Sequence, residues 1–173
     1  MWIKRVSVAL LLMLNVNIAL AELNVGDEAP QFCLVDQHAE KQCLQSFKGK
    51  WVILYFYPKD DTPGCTKEAC SFRDHFNTIL SEDAVILGVS VDDADSHKEF
   101  SKKYSLNFPL LVDEGGMVSK KYEALWKVGP LKYARRHSFI IDPKGRLAKI
   151  YRKVDAATHV KEVIEDLKHL KNK

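Results

Sequence analysis

The sequence predicts an α/β fold in which helices cover both faces of a mixed sheet. A continuous apolar run near residue 55 has the composition of a strand buried on both faces. Strands and helices then alternate along the chain, as in folds built from βα units. A hairpin and an amphipathic helix close the chain, which adds antiparallel strands to the parallel ones.

The first βα unit begins with Val52–Tyr57, which is rich in β-forming residues and ends at Pro58. A turn-forming segment, residues 60–64, follows it. The next segment, Thr66–Leu80, has apolar side chains at helical spacing. We therefore expect a strand, a loop and then one helix; the apolar positions that indicate the helix are Ala69, Phe72, Phe76 and Ile79.

The remaining elements follow from the same patterns. They are a strand at Val85–Val91, a helix at Ser96–Tyr104, a strand at Leu110–Val112, a helix at Gly116–Leu125, a hairpin of Ser138–Ile141 with Leu147–Tyr151, and a last helix with Val160, Val163, Ile164, Leu167 and Leu170 on one face. By analogy, this order of elements is that of the thioredoxin-like fold.

The first 21 residues differ from the rest of the chain. Lys4 and Arg5 precede an apolar run that closes on Ala19-Leu20-Ala21, which is the pattern of a cleaved secretory signal peptide. An uncleaved anchor is the alternative, but the run is shorter than the roughly 20 residues that span a bilayer. We expect a signal peptide at 1–21, one domain at 22–173 and export, to the periplasm.

Composition limits the possible partners. The chain is 46% hydrophobic and 28% charged, as in an ordinary globular domain. Loss of residues 1–21 leaves 24 basic and 23 acidic side chains, a formal charge of +1. Such a balance gives no electrostatic basis for nucleic-acid binding. No second segment is long enough to span a bilayer, so we expect no membrane association after the signal peptide is removed.

Cys65 is the candidate nucleophile. It follows a Thr62-Pro63-Gly64 turn at the predicted start of a helix, where backbone N–H groups and the helix dipole favour a thiolate. The Thr62 hydroxyl can face the sulfur or a bound oxygen, and the glycine allows a ligand close to the backbone. A purely structural half-cystine is the alternative, but a simple cross-link needs neither this turn nor a helix terminus.

Cys70 lies five residues further along the same predicted helix. In a regular helix that offset separates the two Cα atoms by about 9 Å, whereas a disulfide needs less than about 7 Å. A bond between Cys65 and Cys70 would therefore require the helix to unwind, which suits a catalytic intermediate better than a structural cross-link. A buried core thiol is the alternative for Cys70.

Residues 57–74, YPKDDTPGCTKEACSFRD, closely resemble the active-site segment of peroxiredoxins, in particular the peroxiredoxin Q or bacterioferritin comigratory protein subfamily. The family pattern of proline, three residues, threonine, two residues and cysteine falls on Pro58, Thr62 and Cys65. The resemblance extends over nearly the whole mature chain, through VGDEAPQF at 25–32, FKGK at 47–50, GVS at 88–90 and RHSFIID at 136–142.

The resemblance implies a thioredoxin-like fold and a thiol peroxidase that needs no metal, flavin or haem. Cys65 would attack a hydroperoxide to give a sulfenic acid, and Cys70 would close an intramolecular disulfide that a thioredoxin-like dithiol reduces. Arg136, rather than Arg135, would complete the site, and Glu68 would orient it through a bidentate pair, although a helix-surface charge is the alternative for Glu68. A monomer or a weak homodimer is expected.

Cys33 and Cys43 lie outside this active-site pattern. They flank a segment that indicates a hairpin with its turn centred on His38, which would place the two cysteines directly opposite each other. Cross-strand Cβ atoms are about 4.5–5.5 Å apart, close enough to bond with a small adjustment. In an exported protein we expect a structural disulfide here, with two free buried thiols as the alternative.

The same residues leave two other functions as alternatives. A disulfide reductase or isomerase would need two cysteines separated by two residues, which this chain lacks. A copper-binding protein could use Cys65, Cys70 and His137, but the turn before Cys65 suits peroxide chemistry better. The other histidines have no metal-ligand spacing, so surface positions are expected for His38, His75, His97, His159 and His169.

Overall fold

A computed structural model describes residues 22–172 of the chain. The predicted signal peptide lies outside these residues. Nine strands are described: β1 Cys33–Val35, β2 Lys41–Cys43, β3 Trp51–Phe56, β4 Ala84–Ser90, β5 Leu110–Val112, β6 Leu125–Val128, β7 Leu131–Ala134, β8 Ser138–Ile141 and β9 Leu147–Tyr151. Five α-helices accompany them: α1 Pro63–Asp74, α2 Phe76–Ser81, α3 Ala94–Tyr104, α4 Met117–Lys121 and α5 His159–Lys171.

The central sheet has five strands in the order β5-β4-β3-β8-β9. Strands β3, β4 and β5 are parallel, whereas β8 is antiparallel to both β3 and β9. Strand β3 lies in the middle, and its residues 52–56 are all buried, as their composition predicts. The α/β class, the mixed sheet and the thioredoxin-like arrangement predicted from the sequence are confirmed.

Alternate side chains of β3 enter two hydrophobic cores, because successive residues of a strand point to opposite faces. Ile53 and Tyr55 pack with side chains of α1 and α5, including Phe72 and Val163. Val52, Leu54 and Phe56 pack on the opposite face, where α4 contributes Val118. Helices therefore cover both faces of the sheet. None of the helices between residues 22 and 172 is long and apolar enough to cross a bilayer.

Two helix predictions were wrong in extent. The segment predicted as one helix to Leu80 forms α1 and α2, which are separated at His75. Its ring Nδ1 lies 2.8 Å from the Ser71 carbonyl oxygen, and its backbone φ and ψ of −100° and 7° depart from helical values. The helix predicted to reach Leu125 ends at Lys121, and Glu123 then takes a left-handed φ of 56°.

The segment after α4 forms a two-stranded hairpin, β6–β7, that sequence patterns did not reveal. Trp126 and Tyr133 are paired across it, with ring centroids 6.0 Å apart. Gly129, in the turn, has a φ of 58°, which favours glycine. The available signal was the Gly129-Pro130 pair between two short β-forming runs, which marks a turn.

The β1–β2 hairpin brings Cys33 opposite Cys43, and the two residues form a disulfide with a Cα–Cα distance of 4.0 Å. The tip of this hairpin is attached to the edge of the central sheet by the buried Gln37. Its side-chain amide donates to the Phe108 carbonyl oxygen at 3.1 Å and accepts from the Leu110 amide at 2.8 Å. The disulfide thus closes a hairpin that covers the outer strand β5.

Replacing both cysteines of this hairpin by serine is expected to lower the free energy of unfolding by about 3 kcal/mol, because the bond closes a short loop in the unfolded chain. Their sequence separation of 10 sets that loop length. Urea denaturation of the oxidised protein and of the C33S/C43S variant measures the difference. An unchanged midpoint would contradict the structural role of this disulfide.

Candidate active site

Cys65 lies in the first turn of α1, which begins at Pro63 and has Thr62 as its N-cap residue. The Thr62 hydroxyl donates to the Lys59 carbonyl oxygen at 3.0 Å and does not cap the helix. The first amides of a helix have no partner within the helix. Those of Gly64 and Cys65 are therefore available to a ligand, at the end of the helix that favours negative charge.

Arg136 lies far from Cys65 in the sequence, just before strand β8, and the fold brings the two side chains together. Strand β8 lies beside β3, and the Phe56 amide donates to the His137 carbonyl oxygen at 2.8 Å. This pairing places the residue before His137 next to the start of α1. The Arg136 Nη2 donates to the Cys65 Sγ at 3.2 Å, and Cys65 is buried, with 2% of the residue exposed. A nearby guanidinium favours the thiolate form of a cysteine.

Arg136, rather than Arg135, is the arginine beside Cys65, and Gly64 leaves room for its side chain. Arg135 is exposed, whereas Arg136 is half-buried and contacts the sulfur. A Cβ atom built on Gly64 would lie 3.3 Å from the Arg136 Nη2. Glycine at this position therefore leaves room for the guanidinium beside Cys65.

Glu68 is fully buried one turn after Cys65, so the alternative of a surface charge is wrong. Its Oε2 accepts from the Arg136 Nη1, while its Oε1 has no hydrogen-bond partner. The predicted bidentate pair is therefore not formed, because the second terminal nitrogen of the guanidinium faces the sulfur. Burial raises the pKa of Glu68 to about 7, against the opposing attraction of Arg136.

The charge of Arg136 is maintained by these two neighbours. Burial alone would lower its pKa, but Glu68 and Cys65 together keep the pKa above its ordinary value. The guanidinium thus joins a buried carboxyl group to the sulfur and stays positive. This arrangement can stabilise negative charge that develops on a bound oxygen next to Cys65.

Pro58, in the loop that leads to Cys65, lines a shallow apolar pocket of about 330 Å³. Trp126 and Tyr133 of the β6–β7 hairpin form part of its wall, together with Ala134 and Arg135. The Trp126 side chain is 47% exposed, which is unusual for so large an apolar group. Sequence reasoning missed this pocket because it missed the hairpin that forms its wall.

Cys70 lies in the same helix as Cys65, is half-buried and is not bonded. The two thiols are thus held on one continuous helix, where their offset of five residues puts the Cα atoms about 9 Å apart. A Cys65–Cys70 bond would require α1 to open between the two residues.

The predicted surface positions of the histidines were wrong in two cases. His97 and His159 are fully buried, while His38 and His169 are exposed and His75 is half-buried. Burial is explained by the partners that each ring finds, Asp60 for His97 and the Ser138 hydroxyl for His159. A buried polar ring is tolerated when it is hydrogen-bonded. His137 is also buried, and its Nδ1 has no hydrogen-bond partner.

His159 should make the fold sensitive to acid. Burial, assisted by the charge of Arg136, lowers the pKa of His159 from 6.5 to about 4. The unfolded chain therefore binds a proton that the folded chain rejects between these values. The stability present above pH 6.5 is lost as the pH falls towards 4, by on the order of 3 kcal/mol.

Denaturation of the wild type and of H159Q at pH 7 and pH 4.5 measures this loss. Glutamine keeps a donor near Ser138 but does not titrate, so the decline between the two pH values should be smaller by about 2 kcal/mol. Equal declines in the two proteins would show that the ring of His159 does not control the acid response.

The fold and the site together define a class of protein. A thioredoxin-like sheet carries a buried cysteine at a helix N-terminus, with an arginine from a distant strand donating to its sulfur. Residues 25–150 match the AhpC/TSA family. The chain belongs to this family, and the relatives that it matches include peroxiredoxins of the Bcp and Q types.

Three comparisons illustrate the likeness. Peroxiredoxin Bcp of Bacillus subtilis (strain 168) is 42% identical over 156 residues, which cover 87% of this chain and 99% of that protein. Chloroplastic peroxiredoxin Q of Populus jackii is 40% identical over 158 residues, 89% of this chain and 72% of that protein. A crystal structure of PrxQ from Xylella fastidiosa has a TM-score of 0.81 at 29% identity, covering 86% and 98% of the two chains.

Proposed function

We propose that this protein is a thiol peroxidase that reduces hydrogen peroxide and organic hydroperoxides with Cys65 as the nucleophile. The hydrogen bond of 3.2 Å from the Arg136 guanidinium to the Cys65 sulfur carries this proposal. The family to which the chain belongs supports it independently. The remaining site residues have roles that follow from their hydrogen bonds.

In the first step, the Cys65 thiolate attacks the terminal oxygen of the hydroperoxide. The S–O bond forms as the O–O bond breaks, and the terminal oxygen keeps its hydrogen in the resulting sulfenic acid. The departing oxygen leaves as an alkoxide or hydroxide and takes a proton from solvent to give an alcohol or water. Its negative charge would be stabilised by Arg136 and by the free amides of the first helical turn.

Thr62 can orient the substrate in this step. Its hydroxyl hydrogen is already donated to the Lys59 carbonyl oxygen. Only the lone pairs of its oxygen remain, so they can accept the O–H of a hydroperoxide. Pro58 belongs to the same loop, and the apolar pocket that it lines supports the proposal that organic hydroperoxides are substrates as well.

In the second step, the Cys70 sulfur attacks the sulfenic sulfur of Cys65. A disulfide forms and water leaves, which requires α1 to open as described above. An external dithiol of the thioredoxin type would then reduce the disulfide by exchange and be oxidised in turn. No cofactor takes part in these steps.

The simplest test starts from wild-type protein in which Cys65 and Cys70 are thiols while Cys33–Cys43 stays bonded, and oxidises it with one equivalent of hydrogen peroxide. Loss of two thiols and a peptide containing a Cys65–Cys70 disulfide are the expected products, and a dithiol should then sustain peroxide consumption. Thiols that remain unreacted in this assay would refute the proposal. The Cys33–Cys43 bond provides an internal reference, because it is formed before the peroxide is added.

The alternative functions receive no support from the structure. In the described part of the chain, the side chains whose ligand atoms converge as in a metal site are Asp60, Asp92 and His97. Cys65, Cys70 and His137 do not form such a group. The spacing of a disulfide reductase is also missing from the sequence.

We further propose that the protein is exported to the periplasm and acts as a monomer or weak homodimer. The sequence pattern of residues 1–21 motivates the first statement, and a disulfide in the β1–β2 hairpin is consistent with an oxidising compartment. Amino-terminal sequencing of the protein from its native cells should begin at Glu22. A protein that retains residues 1–21 would contradict cleavage.

A further inference from the structure

The segment between β3 and α1, Tyr57–Thr62, carries two of the proposed site residues, and we call it the active-site loop. Its central residue, Asp60, points inward and is 7% exposed. Three side chains donate to or contact its carboxylate. The Tyr57 hydroxyl lies 2.7 Å from Oδ1, while the Ser96 hydroxyl and the His97 Nδ1 each lie 2.7 Å from Oδ2.

The protons of His97 can be counted from the two acceptors that its ring nitrogens face; the Tyr57 hydroxyl, which donates to Asp60, also lies 3.4 Å from Nδ1. Its Nε2 lies 3.2 Å from the Leu111 carbonyl oxygen, which can only accept, so this nitrogen carries a hydrogen. Its Nδ1 faces the Asp60 carboxylate, and that contact also needs a proton. The pair therefore holds one proton more than a carboxylate and a neutral imidazole would, and it is neutral overall. Both side chains are buried, with 0% and 4% exposure.

This pair fastens the active-site loop to α3. His97 and Ser96 belong to α3, while Leu111 belongs to β5, so the contacts join the loop to two elements of the fold. The Asp60 amide adds a bond of 2.9 Å to the Asp92 carboxylate. A buried pair is costly to break on one side, because the other charge is left without a partner.

Other contacts between the loop and α3 are weaker by comparison. Asp61 meets Lys103 and the Tyr104 hydroxyl at 2.6 Å each, but the ion pair is about half-exposed. Exposed ion pairs contribute little to stability. The buried Asp60–His97 pair is thus the main fixed point of the active-site loop.

We propose that His97, acting through Asp60, is a positioning residue that holds the active-site loop in the geometry needed for peroxide attack. The inference rests on the proposed peroxidase function, because it concerns where Pro58 and Thr62 stand relative to Cys65. Small displacements of positioning groups reduce rates strongly. The carboxylates of this cluster already accept hydrogen bonds from protein groups, so we assign no ion to it.

Two conservative substitutions separate the two contacts of His97. Asparagine can place an amide near the position of Nδ1 and keep a donor to Asp60, whereas glutamine reaches further and can keep the donor to Leu111 instead. If the contact to Asp60 positions the loop, H97Q should slow Cys65 oxidation by hydrogen peroxide by roughly 10- to 100-fold. The loss in H97N should be smaller by at least about tenfold.

The rate is measured as single-turnover oxidation of Cys65, followed by mass spectrometry of the quenched protein. Alkylation of Cys65 by iodoacetamide is measured in parallel. Alkylation depends on the Cys65 thiolate, which Arg136 favours, but not on the position of the active-site loop around a bound peroxide. It should therefore not slow in H97Q. Nitrogen NMR of the His97 ring in the wild type should show both nitrogens protonated.

Controls distinguish positioning from general stability. L147A removes buried volume from β9 and should lower stability without slowing Cys65 oxidation. Leu147 packs in the core on one face of the sheet, whereas Cys65 packs in the core on the other face. If the His97 variants do not fold, S96A removes one donor to Asp60 and should slow oxidation by roughly threefold. Equal oxidation rates in H97N, H97Q and S96A would overturn the inference. An NMR spectrum in which the His97 Nδ1 carries no proton while Asp60 is ionised would also overturn it.

Failure of the inference differs from failure of the proposed function. If the wild type consumes no peroxide, the proposed function is wrong and the positioning role is wrong with it. If the wild type is active and the oxidation rates of the variants do not separate, the function stands and the positioning role is wrong.

Discussion

Replacement of Cys65 by serine is expected to abolish peroxide consumption, with a loss of roughly 10³-fold or more. A serine hydroxyl remains protonated at neutral pH and forms no sulfenic acid, so neither proposed step can occur. The substitution replaces one buried sulfur atom by an oxygen atom, so the fold should persist. Peroxide consumption with excess dithiol measures the effect, and a C65S variant that retains activity would contradict the assignment of the nucleophile.

Cys70 provides the matched comparison because it is the second free thiol on α1. C70S should still be oxidised once by peroxide, within about threefold of the wild-type rate, since its side chain is not part of the attack geometry. Turnover with a protein dithiol should fall sharply, because no intramolecular disulfide forms. A C70S variant that turns over normally would indicate that the reductant acts directly on the sulfenic acid of Cys65.

The fold was predictable where local patterns and long-range packing agree. Strand β3 is apolar throughout because both of its faces are buried, and this is visible in the sequence. The Cys33–Cys43 pairing was also expected from the turn centred on His38, and the observed register places the two residues opposite each other. The β6–β7 hairpin was missed because its strands are short and exposed, so they lack the alternation that indicates a strand.

The site was predictable only in part. The position of Arg136 came from a resemblance, since no periodicity connects residue 136 to residue 65. The surroundings of Asp60 and His97 were not predictable, because a buried charge pair has no local signal. Its two members lie 37 residues apart and look like ordinary loop and helix-surface residues. Only the packing of α3 against the active-site loop brings them together.

Arg136 gives the second large effect. R136M removes the group that donates to Cys65 and leaves Glu68 buried without its partner, so the rate of Cys65 oxidation should fall by roughly 100- to 1,000-fold. R136K keeps a charge but cannot reach both Glu68 and Cys65 from one planar group. Its rate of Cys65 oxidation should therefore lie between the rates of the wild type and of R136M. The control is R135M, whose exposed side chain should matter by less than about threefold with hydrogen peroxide.

Glu68 refines this prediction through pH. With the pKa of Glu68 raised to about 7 by burial, the carboxyl group is mainly protonated at pH 6 and mainly ionised at pH 8. Glutamine resembles the protonated form. E68Q should therefore match the wild-type oxidation rate at pH 6 within about threefold and fall behind it by about tenfold at pH 8. A constant ratio across this range would show that the ionised carboxylate does not orient Arg136.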